Sequence, residues 1–157
     1  MERVEEAHRD TAARVALRHL VDTYARDVDR GDTDAVAELF SMDGRLIAHF
    51  YSGTDGSPPV RRGRAEIAAA LVAGLDRYLG TTHVVGGQVV EVADDQEHAQ
   101  GETVCLAHHL YERDGVRRLL VMAVRYQDQY VREAGAWRFA ERQLRLDWRD
   151  DHPMAER

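Results

Sequence analysis

The chain has a single cysteine, Cys105, so no internal disulfide can form and no zinc site built from several thiolates is possible. A lone cysteine inside a strand-like segment reads as a small buried hydrophobe before it reads as a nucleophile. No stretch approaches the roughly 18 apolar residues of a membrane span. The first ten residues carry charges of both signs and no apolar core of a secretory leader, so a cytoplasmic location and no membrane partner are expected. No basic stripe interrupts an overall charge of −7, which would repel a phosphate backbone and makes nucleic acid a poor partner. Internal repeats, low-complexity segments, His-x-x-x-His spacing and clustered carboxylates are also missing, and no metal site is expected. What is present is an ordinary globular composition, 44% hydrophobic and 31% charged over 157 residues. That length suits a single domain, 1–157, able to bury about two thirds of its unfolded surface.

From 11 to 28 the apolar residues Ala13, Leu17, Leu20, Val21, Tyr24 and Val28 recur at three- and four-residue steps, which predicts an amphipathic helix capped by Asp10. Gly31 breaks it, and Asp32 or Thr33 can cap a second, shorter helix carrying Ala35, Val36, Leu39 and Phe40. Asp43-Gly44 reads as a turn, 45–51 as a strand, and 52–59, with two glycines and two prolines, as a covering loop. Ile67, Leu71, Leu75 and Tyr78 share one face of a third helix over 65–79, entered at Gly63 and ended by Gly80. Segments 83–92, 99–113, 117–132 and 136–148 are rich in β-branched and aromatic residues and separated by Asp94-Asp95, Asp114-Gly115 and Ala134-Gly135. Short connections predict an antiparallel meander, and helices followed by strands predict an α+β fold. Three helices and a long sheet close only if the sheet wraps the helices, leaving a pocket between its concave face and the first helix.

The residues Tyr24 to Asp32 (Tyr-Ala-Arg-Asp-Val-Asp-Arg-Gly-Asp), Ala37 to Gly44, Gly63 to Ile67, Thr81 to His83, and the closing stretch from Tyr126 through Trp137-Arg138-Phe139 to Arg142 resemble the SnoaL-like branch of the nuclear transport factor 2-like superfamily. The resemblance covers nearly the whole chain in order. It implies a cone-shaped fold in which three N-terminal helices pack in a curved antiparallel sheet. The nearest resemblance is to scytalone dehydratase, the lindane dehydrochlorinase and the bile-acid 7α-dehydratases. It implies catalytic roles for Asp29, at the end of the first helix, and His83, after the third. It also implies substrate contacts for Tyr24, Arg142 and a strand histidine, His108 or His109. Limonene epoxide hydrolase is a further relative in fold, but its Asp-Arg-Asp set has no identifiable counterpart here.

β-Elimination needs a base with a pKa near working pH and donors for the developing negative charge. A histidine oriented by a carboxylate supplies the first. Phenol, imidazole and guanidinium supply the second, and the scheme requires no cofactor. Periodicity alone does not select Asp29. On a regular helix it lies about 120° from the centre of the apolar stripe, and Asp27 lies about 80° off on the other side. A helix that ends or tightens near Val28 is needed to turn Asp29 inward. Of the adjacent histidines only one can face the cone. The row Thr103, Cys105, Ala107, His109 suits a pocket lining, whereas the family spacing favours His108.

The expected activity is therefore a cofactor-independent, dehydratase-type lyase acting on a hydrophobic cyclic or polyketide-derived small molecule. Isomerisation or cyclisation by the same pair, or a non-catalytic binding module, are the alternatives. An open sheet with apolar outward residues in its 116–131 strand further predicts a homo-oligomer, a dimer or trimer.

Overall fold

The computed structural model describes residues 1–51, 53 and 55–155. Its elements are α1 (Glu2–Asp29), α2 (Thr33–Glu38), β1 (Phe40–Ala48), β2 (Val60–Arg62), α3 (Gly63–Leu75), β3 (Gly80–Val92), β4 (His98–Arg113), β5 (Val116–Glu133) and β6 (Ala136–Pro153). The architecture is α+β, as expected. All six residues of the α1 stripe are buried, and with Phe40, Ile67, Tyr126, Tyr130 and Phe139 they make one core between helix and sheet.

Helix α1 begins at Glu2, so Asp10 is not a cap. It lies inside the helix and pairs with Arg14 at 2.7 Å, an i,i+4 contact. The first turns are polar all round and carry no periodicity, but Glu, Arg and Ala are good helix formers. At its other end α1 stops in a Schellman motif. Gly31, at φ +68°, donates its N–H to the Val28 carbonyl, and Asp32 donates to the Asp27 carbonyl, each at 3.0 Å. Asp32 then caps α2, its carboxylate accepting the Ala35 N–H at 3.1 Å.

Asp43-Gly44 is not a turn but part of β1, where the register against β6 shifts between Phe40 and Arg45. A bulge uses the turn-like residues here. A Cβ on Gly44 would meet the Phe40 Cβ at 2.9 Å and the Phe139 carbonyl at 3.0 Å. The short exposed strand β2, with two arginines, has no alternation that would reveal it. Helix α3 ends at Leu75, and Gly80 opens β3 instead of terminating the helix. Strand β6 runs past Trp148 to Pro153, held by pairing with β5 although its last residues are charged.

The sheet order is β2-β1-β6-β5-β4-β3. All pairs are antiparallel except β1 with β6, which run parallel, a departure from the purely antiparallel expectation. The β4–β5 and β5–β6 hairpins turn on Asp114-Gly115 and Ala134-Gly135, all four at positive φ, as two-residue turns matched to strand twist require. Helix α1 packs on β3, at the end of the sheet, and also on β6, three places away. Strands about 4.8 Å apart can do this only by curling around the helix. Among the described residues no helix is long and apolar enough to cross a membrane.

Candidate active site

The Schellman stop makes Asp29 the last helical residue of α1 and aims its carboxylate at the start of β3. Oδ1 accepts from the Thr81 hydroxyl at 2.8 Å and faces Nδ1 of His83 at 2.6 Å. Oδ2 accepts the backbone N–H of His83 at 2.9 Å. The same histidine is thus gripped through ring and backbone together. Burial raises the Asp29 carboxyl, but the hydrogen bonds from His83 and Thr81 outweigh it and hold the group below the usual carboxylate range. An ionised carboxylate only accepts, so the His83 ring carries its proton on Nδ1, and Nε2 is the basic atom. The His83 side chain is 8% exposed and borders a half-open cavity of about 530 Å³.

Alternation along β4 turns Thr103, Cys105, Ala107 and His109 inward, all buried. The His109 ring lies 5.8 Å from that of His83, edge to face, and 4.5 Å from that of Tyr78. Among the described residues its buried Nδ1 has no hydrogen-bond partner. Burial, then the facing His83, pushes the His109 pKa down to about 4, so its imidazole is neutral at pH 7. The remaining wall is largely apolar, with Val28, Leu71, Leu75, Met122, Val124 and Leu144. Tyr24 and Tyr126 also line it. Burial raises the Tyr24 phenol more than Arg142 beside it lowers it, so this hydroxyl stays a neutral donor.

The structure thus brings Asp29, His83, Tyr24 and His109 together and leaves two expected contacts outside. His108 belongs to the outer face of β4, paired across from Thr82, with Nδ1 3.3 Å from the Thr82 carbonyl. Strand alternation sends it away once His109 faces inward. Arg142 does not border the cavity at all. Its guanidinium is wholly buried, 2.8 Å from both Asp128 oxygens, and stacks within 4.1 to 4.3 Å of the ring centres of Tyr24, Tyr126 and Phe139. It braces two wall tyrosines from behind. Asp27 is also buried, but it pairs with its neighbour Arg26 and is no part of the wall. Cys105 is fully buried, and burial pushes its thiol up, away from thiolate character.

Three participants escaped the sequence reading. Thr81 fixes Asp29, although Thr-Thr-His drew attention only to the histidine. Tyr126 lies on the inward row of β5. Asp128, two residues further along that row, carries a signal that could have been read: an acid flanked by Tyr126 and Tyr130 on an apolar face needs a buried cation.

A family model described as the SnoaL-like domain matches residues 9–143. The chain belongs to the SnoaL-like domain family. Among solved structures, a scytalone dehydratase candidate from Novosphingobium aromaticivorans is 20% identical, covering 95% of this chain and 93% of that one, with a TM-score of 0.78. A hexachlorocyclohexane dehydrochlorinase from Novosphingobium barchaimii is 18% identical, covering 95% and 94%, with a TM-score of 0.76. An NTF2-like protein with a cystatin-like fold from Novosphingobium aromaticivorans is 23% identical, covering 94% and 90%, with a TM-score of 0.71. At these identities the similarity establishes the fold, the NTF2-like cone. No curated protein matches the sequence.

Proposed function

We propose that this SnoaL-like protein is a cofactor-free lyase that eliminates a small acid HX from a hydrophobic, cyclic substrate activated by a carbonyl or another electron-withdrawing group. The observation that carries the proposal is the 2.6 Å contact between Asp29 and the His83 ring at the edge of an apolar cavity of about 530 Å³. Nε2 of His83 takes the proton next to the activating group. The C–H electron pair becomes the new double bond, the C–X bond breaks, and X leaves with the bond's electrons. Asp29 holds the tautomer and stabilises the imidazolium that forms, a role in which it need not itself be protonated. The neutral His109 ring and the Tyr24 phenol are the donors placed to hydrogen-bond the oxyanion or the departing group. The imidazolium returns its proton to X⁻, completing the loss of HX. The dehydratase and dehydrochlorinase names of two structural neighbours agree with this chemistry.

Isomerisation or aldol cyclisation would share the proton removal and differ in the later steps, so product analysis decides. The test is a panel of cyclic β-hydroxy ketones and β-chloro carbocycles incubated in D₂O and followed by NMR and mass spectrometry. Loss of one HX, slowed at least about 100-fold in His83→Ala with the fold intact by circular dichroism, supports the lyase. Deuterium uptake with no loss of HX indicates an isomerase or cyclase. Binding with neither exchange nor elimination indicates a ligand-binding module and overturns the proposal.

A further inference from the structure

The catalytic cavity adjoins a second chamber of about 300 Å³. The two share Phe50, Tyr51, Arg77, Tyr78 and Met122 as a common wall. The first space presents His83, His109 and aliphatic groups, with Arg61 and the shared Arg77 also on its wall. Arg77, shared with the first, and Arg149 both line the second chamber, and among the described residues no carboxylate lines it. Among the described residues neither arginine has an acidic partner; on the neighbouring strands Arg118, Arg125 and Arg142 are paired, while Arg132, Arg138 and Arg145 are likewise without one. Asp151, at the same end of the sheet, is already occupied by Arg118 at 2.9 Å and the Tyr111 hydroxyl at 2.7 Å. Arg77 is positioned rather than loose: it donates to the Tyr51 hydroxyl at 2.9 Å and lies 5.0 Å over the Tyr78 ring. In a chain of net charge −7, two uncompensated cations on one small recess are a local feature, not a consequence of general basicity. Guanidinium forks suit planar or tetrahedral oxyanions, which they bind through two donors at once.

We propose that the site takes ligands with two parts: a hydrophobic ring body that enters the cavity beside His83, and an anionic group, carboxylate or sulfonate in kind, held in the adjoining chamber by Arg77 and Arg149. This narrows the substrate class of the lyase reading and rests on it, but its test does not read turnover, so either can fail alone. The probes are 8-anilino-1-naphthalenesulfonate and N-phenyl-1-naphthylamine, the same ring system with and without the sulfonate, titrated by fluorescence at low and high salt. The wild-type protein should bind the sulfonate more tightly, with the preference shrinking in about 0.5 M salt. Arg77→Gln with Arg149→Gln should weaken the sulfonate about tenfold or more and leave the neutral probe within about twofold. Arg9→Gln, the same kind of charge change on the exposed start of α1, should move neither. An unchanged sulfonate affinity in the double variant, an equal loss for both probes, or no preference in the wild type each overturns the proposal.

Discussion

Replacing Asp128 by alanine would strip the buried Arg142 of its counter-ion without touching the cavity wall directly. Both side chains are 0% exposed, so solvent does not screen the pair, and two N–H groups of the guanidinium lose their acceptors together. Among the described residues Nη1 already lacks a partner, and the Tyr130 hydroxyl, which donates to Asp128 at 2.9 Å, would lose its acceptor and keep only the 3.4 Å bond it accepts from Gln88. Removing one member of a buried ion pair costs about 3–5 kcal/mol. At roughly 2–4 °C per kcal/mol for a domain of this size, the melting temperature should fall by about 6–20 °C. Calorimetry or denaturant titration measures it. Removing both charges, Asp128→Leu with Arg142→Met, should cost less than the single change, because no bare charge is then left inside. An Asp128→Ala loss below about 1 kcal/mol, or a double variant as damaged as the two singles added together, would refute the reasoning. It would also reopen a direct role for Arg142 in the cavity.

Asp29→Asn should keep the fold and lower turnover of an elimination substrate by about 10²–10⁴-fold, seen chiefly in kcat. The His109 pKa is depressed to about 4, so between its unfolded value of 6.5 and that point the unfolded chain binds the extra proton. Stability should therefore fall as pH drops through this window, and urea titrations of His109→Gln should show a slope shallower by up to one proton. Gly101→Ala should destabilise by about 1–3 kcal/mol, since its Cβ would meet the Val89 carbonyl at 2.8 Å. Gly74→Ala, in the last turn of α3 with open space around it, should instead stabilise by about 0.5–1 kcal/mol in the same thermal assay.

Sequence pattern was most informative where one face of an element is buried. The α1 stripe and the inward β4 row ending in His109 are all buried, because a 3.6- or 2-residue period is the direct imprint of that burial. Pattern failed where burial leaves no imprint: the polar first turns of α1, the exposed β2, and the charged end of β6 held only by its partner strand. Asp29 falls between these cases. A regular helical wheel leaves it off the core face, and the Schellman stop at Gly31 directs it to β3, a tertiary contact that no periodicity contains. Arg142 shows the converse error. Its place in the sequence was readable, but whether it faces the cavity or a buried acid depended on Asp128, its register partner on β5.

The account rests on Asp29 fixing the proton of His83 on Nδ1, so that Nε2 remains the base for the cavity. Long-range ¹H–¹⁵N correlation of the neutral His83 ring, recorded at a pH about two units above the ordinary histidine value, reports the position of that proton directly. The account predicts a protonated Nδ1 and a bare Nε2. A proton found on Nε2 would leave the cavity without its base and would contradict it.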